Sequence, residues 1–445
     1  MLKTFKIGGV HPPENKLSAG SPIEVLPLPK SVFIPVSQHI GAPAVPLVKK
    51  GDDVKVGQLI AKSSSFVSTN IHSSVSGKVK RVDFLADSSG YPKQGIYIDV
   101  EGDEWLDNID RTDILKKDFE DDSAAIVQKI QDAGIVGLGG ATFPTHVKLV
   151  PPKGMKADVL IINGVECEPY LTSDHRLMLE KADEILVGTQ ILMKAMRVEK
   201  AVIGIESNKP DAIELISRKS KEYKGISVIP LKVKYPQGGE KQLIKAVTGK
   251  EVPSGGLPVA VGAVVNNVGT AFAVYEAIQK NKPLFERVVT VTGKHVAKPS
   301  NFRVRIGTPT SELVEAAGGL NENTGKIISG GPMMGRAVAS LDVPVTKGSS
   351  GILLIGAEEA RRSEMNTCIR CSRCVSACPM GLEPYLLMTF SEKKIYDRAE
   401  ENKIMDCMEC GSCSYICPSN RPLLDYIRFG KGKVGSIMRS RTKPV

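Results

Sequence analysis

Aromatic residues are scarce. Of 445 residues only 5% are Phe, Trp or Tyr, and the one tryptophan is Trp105. A stacking platform for single-stranded nucleic acid needs more of them. Long apolar runs are missing as well. The most apolar stretch, residues 255–275, is interrupted by Asn266 and Asn267, whose amides would be costly in hydrocarbon. The opening residues, Met1 to Lys6, lack the apolar core of a signal peptide. The expectation is a chain without a membrane span that stays in the cytosol or is held by partners on the cytoplasmic face of a membrane. In that setting cysteine serves metal ligation before disulfides.

What is present is an ordinary globular composition, 42% hydrophobic and 24% charged. The length predicts roughly two to four domains. The formal charge is +10, and the excess gathers near the end: Arg421, Arg428, Lys431, Lys433, Arg439, Arg441 and Lys443 stand against Asp425 alone. Such a segment is either a solvated basic tail or an attraction to an acidic partner or an anionic membrane face. No nucleic-acid motif accompanies it.

Eight of the nine cysteines form two runs, Cys368-x2-Cys371-x2-Cys374-x3-Cys378-Pro379 and Cys407-x2-Cys410-x2-Cys413-x3-Cys417-Pro418. Each is the C-x2-C-x2-C-x3-C-P run of bacterial ferredoxins, in which three cysteines bind one 4Fe-4S cluster and the fourth reaches the other. The expected ligand sets are therefore Cys368, Cys371, Cys374 and Cys417, and Cys407, Cys410, Cys413 and Cys378. Zinc sites use paired C-x2-C units rather than triples with a trailing C-P. Residues 383–405 read as one helix between the runs, completing a helical ferredoxin-like module. The ninth cysteine, Cys167, reads as a buried spectator.

Residues 120–282 alternate apolar strands (158–162, 201–205, 226–233, 263–265) with helices (123–133, 174–196, 211–223, 241–247, 269–279). That pattern predicts a parallel sheet covered on both faces, with ligands at the carboxyl ends of its strands. Those ends carry Asn163-Gly164-Val165-Glu166-Cys167-Glu168-Pro169, then Tyr235-Pro236-Gln237-Gly238-Gly239-Glu240, then Asn266-Asn267-Val268-Gly269. Ahead of them lies a glycine-rich loop, Gly137 to Pro144, followed by Lys148. Glycines let backbone amides approach a phosphate, a lysine can neutralise it, and asparagine amides can read a flavin edge. The loop follows a helix, so it is not the Rossmann fingerprint.

Gly137-Leu138-Gly139-Gly140-Ala141-Thr142-Phe143-Pro144 resembles the flavin loop of the NADH-binding, FMN-containing subunit of respiratory complex I, and the three strand-end motifs follow in that subunit's order. Over essentially the whole chain the sequence resembles the RnfC family of the Rnf ion-translocating electron transport complexes. This includes the opening Phe5-Lys6-Ile7-Gly8-Gly9-Val10-His11-Pro12-Pro13-Glu14-Asn15-Lys16 and the paired cysteine runs. The resemblance implies non-covalent FMN held by Gly137, Gly139, Gly140, Lys148, Asn163, Glu166, Tyr235, Gly238, Gly239, Asn266 and Asn267. It places Phe143, Glu168 and Glu240 on the side of NAD(H). Gly239 stands where the complex I motif has its first glutamate. The implied partners are the ferredoxin-type RnfB and the membrane subunits RnfA, RnfD, RnfE and RnfG, at the cytoplasmic face of the bacterial inner membrane.

The flanks complete a multidomain α/β plus β architecture. Residues 30–100 resemble a biotinyl–lipoyl barrel-sandwich, but the stretch Ser63 to Asn70 has no lysine to carry a group, so a structural or docking domain is expected. Residues 285–345 resemble an SLBB β-grasp module. The expected division is 1–115 barrel-sandwich, 116–283 parallel-sheet FMN/NAD domain, 284–345 β-grasp, 346–430 two-cluster ferredoxin module and 431–445 basic tail. A hydride carries two electrons and a cubane one, so a flavin belongs between them. The predicted function is peripheral electron transfer between NAD(H), FMN, two 4Fe-4S clusters and partner subunits of a ferredoxin:NAD+ oxidoreductase, in a direction set by the couple at the far end. A soluble flavin/iron–sulfur cobalamin reductase and a non-catalytic cluster scaffold are the alternatives.

Overall fold

A computed structural model describes residues 2–441. Four parallel strands form the central sheet in the order Ile226–Leu231, Ala201–Glu206, Val159–Asn163, Ala263–Asn267. The chain steps outward from Val159–Asn163 twice, then returns to its other side for Ala263–Asn267. The order therefore reverses between those two strands, which opens a crevice at their carboxyl ends. Register places Asn163 beside Asn267 and Ile162 beside Asn266 at that crevice.

Helices Ala182–Met196 and Val268–Gln279 pack together on one face of the sheet. Their approach depends on Gly188, where a Cβ would lie 1.9 Å from the Ala271 carbonyl oxygen. The opposite face is covered by Glu240–Thr248, whose Leu243 and Ile244 join Ile161 and Val265 in a separate core. The region predicted as one helix over 174–196 is two, Ser173–Glu180 and Ala182–Met196. Lys181 breaks them, and Asp183 and Glu184 then fall in the first turn of the second helix, where acidic side chains are favoured by the helix dipole.

Toward the N-terminus, the antiparallel sheet Ser31–Pro35, Pro92–Val100, Gly77–Ala86, Asp53–Val54 shares a core with the three-stranded sheet Val45–Pro46, Leu59–Lys62, Ile71–His72. A six-stranded sheet runs Ile23–Val25, Ser300–Arg305, Glu286–Thr292, Gly351–Gly356, Thr324–Ser329, Arg336–Ala337. It recruits strands from both sides of 284–345, and Gly351–Gly356, from the segment assigned to the cluster module, occupies a central place in it.

Residues 383–405 do not form one helix. They fold as Pro384–Glu392, Tyr396–Glu401 and the turn Ile404–Asp406. A continuous helix there would span roughly 35 Å and carry the two cysteine runs apart. Breaks at Lys394 and Lys403, both with positive φ, return the chain beside its start. The segment read as a basic tail is instead part of helix Leu423–Arg441. Val434 is fully buried in the cluster module, Lys431 pairs with Glu409, and Arg441 pairs with Glu400 and Asp397. Lys443 lies outside the described residues. No described helix is long and apolar enough to cross a membrane.

Lys347 joins three of these units. It is 1% exposed, and its Nζ donates to the carbonyls of Asn70 (2.8 Å) and Gly134 (2.6 Å). Burial lowers its pKa from 10.5 to about 7. Between those values the unfolded chain binds a proton that the folded chain does not, so stability should rise with pH across that window, by at most about 1.4 kcal/mol per unit. Thermal melts from pH 7 to 10 should show this rise in the wild type, and Lys347→Met should flatten it.

Candidate cofactor site and metal centre

The glycine-rich loop is closed by Gly137 N–H donating to the Phe143 carbonyl (2.9 Å) and anchored by Leu138 N–H donating to Thr270 Oγ1 (2.9 Å). Its tip, Gly139 and Gly140, is exposed. Gly140 has φ +135°, and a Cβ there would meet no atom within 4 Å. A loop tip whose backbone faces open space beside the switch-point crevice is a cradle for a phosphate or flavin edge.

The polar side chains around it divide into satisfied and unsatisfied groups. Asn163 donates to the Gly238 carbonyl (2.9 Å), which ties two strand-end loops together. Asn267 caps helix Val268–Gln279 through Gly269 N–H and donates to Asp174 Oδ2 (2.6 Å). Glu166 accepts from the amides of Asp174 (2.7 Å) and His175 (3.1 Å), capping helix Ser173–Glu180. Lys148 Nζ lies 2.8 Å from Glu240 Oε1 and 3.1 Å from the Val265 carbonyl. These four residues hold the frame. Asn266 differs: it is 3% exposed, and neither its Nδ2 nor its Oδ1 has a partner. A buried amide with both ends orphaned costs several kcal/mol unless a ligand supplies the complement. Flavin edges present donors and acceptors together, so the residues present fit FMN.

Three residues predicted for the cofactor side pack against the cysteine module or the residues beside it. Tyr235 is 2% exposed, and its hydroxyl lies 2.8 Å from the Cys410 carbonyl. Glu168 lies 3.2 Å from that hydroxyl and accepts from Met333 N–H at 3.1 Å. Burial raises the Glu168 carboxyl to about 7. Gly239 also packs toward the cysteine module, where a Cβ would lie 2.5 Å from Met408 Cε. The loop carrying Tyr235 and Gly239 folds over the cysteine module, a placement its local sequence does not reveal.

Three other residues join the site that the strand-end motifs do not include. Lys16 donates to the carbonyls of Glu166, Glu168 and Leu171, so the opening segment braces the first strand-end loop. Burial lowers its pKa. Asp174 is raised to about 7 by burial and then by the charge of Glu166. Arg287, lowered to about 10 by burial, donates to the Leu138 carbonyl at 3.2 Å. Asp174 and Arg287 line a cleft of about 420 Å³ with Leu138, Gly269, Phe272 and Arg303. Only the opening motif containing Lys16 carries a signal of this in the sequence.

The two cysteine runs repeat one backbone. Residues two and four positions after the first cysteine are left-handed in both, Arg370 and Ser372 in one, Glu409 and Gly411 in the other. Short helices Arg373–Ser376 and Ser412–Tyr415 then carry Cys374 and Cys413. The crossed grouping read from the spacing has one structural support. Cys378, Cys407, Cys410 and Cys413 line an apolar recess of about 370 Å³ together with Leu387 and Ile427. No group of three His, Cys, Asp or Glu among the described residues converges for a single metal ion. Thiolates spread around a recess instead suit a cubane, in which each iron takes one protein ligand.

The two groups differ in exposure. Cys378, Cys410 and Cys413 are buried, while Cys368 and Cys371 are exposed. The buried group is held to the parallel-sheet domain by the Tyr235 contact and by Gln242, which donates to the Pro379 carbonyl at 3.2 Å. The N-terminal segment crosses the same seam, with Gly9 N–H donating to the Ala377 carbonyl at 2.9 Å.

Comparison with known proteins agrees with this layout. Residues 3–103 match the RnfC barrel sandwich hybrid domain, 130–276 the Nuo51 FMN-binding domain, 288–337 the SLBB domain and 361–418 the 4Fe-4S dicluster domain. The cofactors of this chain are accordingly FMN and two 4Fe-4S clusters. The air-oxidised NAD+-reducing [NiFe]-hydrogenase shares the fold, with a TM-score of 0.51 at 17% identity over 73% of this chain and 68% of that one. The C subunit of the proton-translocating ferredoxin:NAD(+) oxidoreductase complex of Clostridium ljungdahlii is 50% identical, covering 97% of this chain and 94% of that protein. The C subunit of the Na(+)-translocating complex of Acetobacterium woodii is 46% identical, covering 97% of each. With the barrel-sandwich, FMN-binding, SLBB and dicluster domains all present, and this identity sustained along the chain, the protein belongs to the RnfC family of ion-translocating ferredoxin:NAD(+) oxidoreductase complexes.

Proposed function

We propose that this chain passes electrons between NAD(H) and the other subunits of such a complex, by way of FMN and then two 4Fe-4S clusters in a fixed order. The first is the cluster of Cys378, Cys407, Cys410 and Cys413, and the second that of Cys368, Cys371, Cys374 and Cys417. The observation that carries this order is the seam: Tyr235 and Gln242 of the parallel-sheet domain touch the Cys410 and Pro379 backbone, whereas Cys368 and Cys371 are exposed. FMN, when bound, exchanges two electrons with a nicotinamide and one at a time with a cluster. The chain's own residues cradle it with the Gly137–Gly140 backbone, neutralise charge with Lys148, and meet the ring edge with Asn266. On the nicotinamide side Phe143 and Glu240 are the candidates. Glu168 is the weaker one, because its carboxylate is buried and turned toward Tyr235 and Met333 at the cysteine module.

The same reading makes the chain a peripheral component on the cytoplasmic face of the membrane, docking the ferredoxin-type RnfB and the membrane subunits RnfA, RnfD, RnfE and RnfG. The division at residues 115, 283, 345 and 430 belongs to the proposal, with the sheet contributions of Ile23–Val25 and Gly351–Gly356 as its exceptions.

The exposed cluster is then the exit toward the partner. Ile369 is 68% exposed beside it, and Arg361, Arg370 and Arg373 are exposed or nearly so. An acidic partner face would complement this rim. Arg370→Glu puts at this position the residue type found at the equivalent Glu409, so the backbone tolerates it. We expect it to slow transfer to the partner subunits about tenfold at low salt and to leave NADH reduction of ferricyanide unchanged. Equal loss of both activities would contradict an exit at this face.

A further inference from the structure

We infer that Glu168 is a positioning residue for the cluster of Cys378, Cys407, Cys410 and Cys413, and that its carboxylate, acting through Tyr235, sets the reduction potential of that cluster alone. The inference rests on the cluster assignment proposed above. Glu168 spans three units. It follows the strand Val159–Asn163, accepts from Met333 N–H of the β-grasp domain, and lies against the Tyr235 hydroxyl, which in turn reaches the carbonyl of a cluster cysteine. Gly331 also packs against it, since a Cβ there would lie 2.2 Å from Glu168 Oε2. This carboxylate is therefore fixed in place by backbone from two directions.

A phenol has one hydrogen, and here two acceptors compete for it, the Glu168 carboxylate at 3.2 Å and the Cys410 carbonyl at 2.8 Å. A phenol ionises only at about pH 10, so it is protonated at the pH of the test below. An ionised Glu168 draws that hydrogen away from Cys410 and adds a negative charge near the cluster. Both effects oppose placing an electron on the cluster, because charge and hydrogen bonding around the cysteines set cluster potentials. The facing cation is Lys16, whose ammonium is fixed on the carbonyls of Glu166, Glu168 and Leu171 rather than on the carboxylate. Near the outer cluster the comparable pair, Tyr385 and Glu383 at 3.3 Å, is exposed, so water screens its charge.

The test is a redox titration of the cluster-loaded protein followed by paramagnetic resonance at pH 8.5, above the value of about 7 at which Glu168 ionises. The two signals are assigned by which one Cys371→Ser removes. Glu168→Gln should make the inner cluster easier to reduce by about tenfold, or about 59 mV for one electron, and leave the outer cluster unmoved. Glu168→Asp should fall back toward the wild type. Tyr235→Phe leaves the Glu168 charge without the phenol hydrogen that offsets it and the Cys410 carbonyl without a donor, and should shift the inner cluster the opposite way, which keeps the inference testable if the Gln variant does not assemble. Unmoved potentials, an equal shift of both clusters, or a raised KM for NADH with no shift would overturn it. A wild type with one signal would instead refute the two-cluster assignment itself.

Discussion

Replacing Cys417 by Ala should remove one cluster and spare the other, so that iron falls from about eight to about four per chain after anaerobic reconstitution. The signal lost should be that of Cys368, Cys371 and Cys374, although Cys417 lies far from them in sequence and close to Cys413. The structural ground is that Cys378 lines one recess with Cys407, Cys410 and Cys413, a recess that Cys417 does not line. Cys378→Ala should have the converse effect and spare the exposed cluster. If Cys417→Ala lost only the Cys407–Cys410–Cys413 cluster, each run would serve its own cubane and the crossed ligation would be wrong.

The second large effect concerns Asn266. Asn266→Leu should weaken FMN binding about 100-fold, the loss of two buried hydrogen bonds at roughly 1–1.5 kcal/mol each. The same substitution should stabilise the flavin-free protein, because it removes a buried amide with no partner at either end. Flavin fluorescence titration gives the first quantity and thermal melting of the apoprotein the second. The paired outcome matters, since an asparagine that merely supported the fold would lower stability when lost. Gly139→Val tests the loop separately. Its Cβ would lie 3.2 Å from the Asn267 Cβ, so the loop tip must shift and FMN binding should fall while the clusters remain.

The chain's large-scale order is legible because each unit writes a distinct pattern. Cysteine spacing needs no tertiary information, and alternating apolar strands and helices announce a parallel sheet. Strand order is not legible. Nothing in the local sequence of Ala263–Asn267 says that it returns to the far side of Val159–Asn163 and so creates the crevice. Helix continuity also escapes. Residues 383–405 have good helical propensity throughout, but the need to bring Cys407 beside Cys378 overrides it at Lys394 and Lys403. The charge run after Pro418 looks solvated because its partners, Glu409, Glu400 and Asp397, are distant or on neighbouring turns of the fold.

Within the site, residue type is legible and orientation is not. Asn163, Asn266 and Asn267 look alike as strand-end amides, yet two of them bond within the protein and Asn266 has no partner among the described residues. Glu168 and Tyr235 lie in loops at the carboxyl ends of the parallel strands, but their side chains turn toward Cys410. The spacing of a loop motif fixes which residues are near a cofactor, not which way each one points.

Rapid freezing can resolve the order in which the two clusters take electrons. The protein loaded with FMN and both clusters is mixed with NADH and quenched over milliseconds, and the two paramagnetic signals, assigned through Cys371→Ser and Cys378→Ala, are followed in time. The signal of Cys378, Cys407, Cys410 and Cys413 should rise first and that of Cys368, Cys371, Cys374 and Cys417 after it, with Cys378→Ala delaying or abolishing the second. Earlier reduction of the exposed cluster, or its normal reduction in Cys378→Ala, would contradict the route.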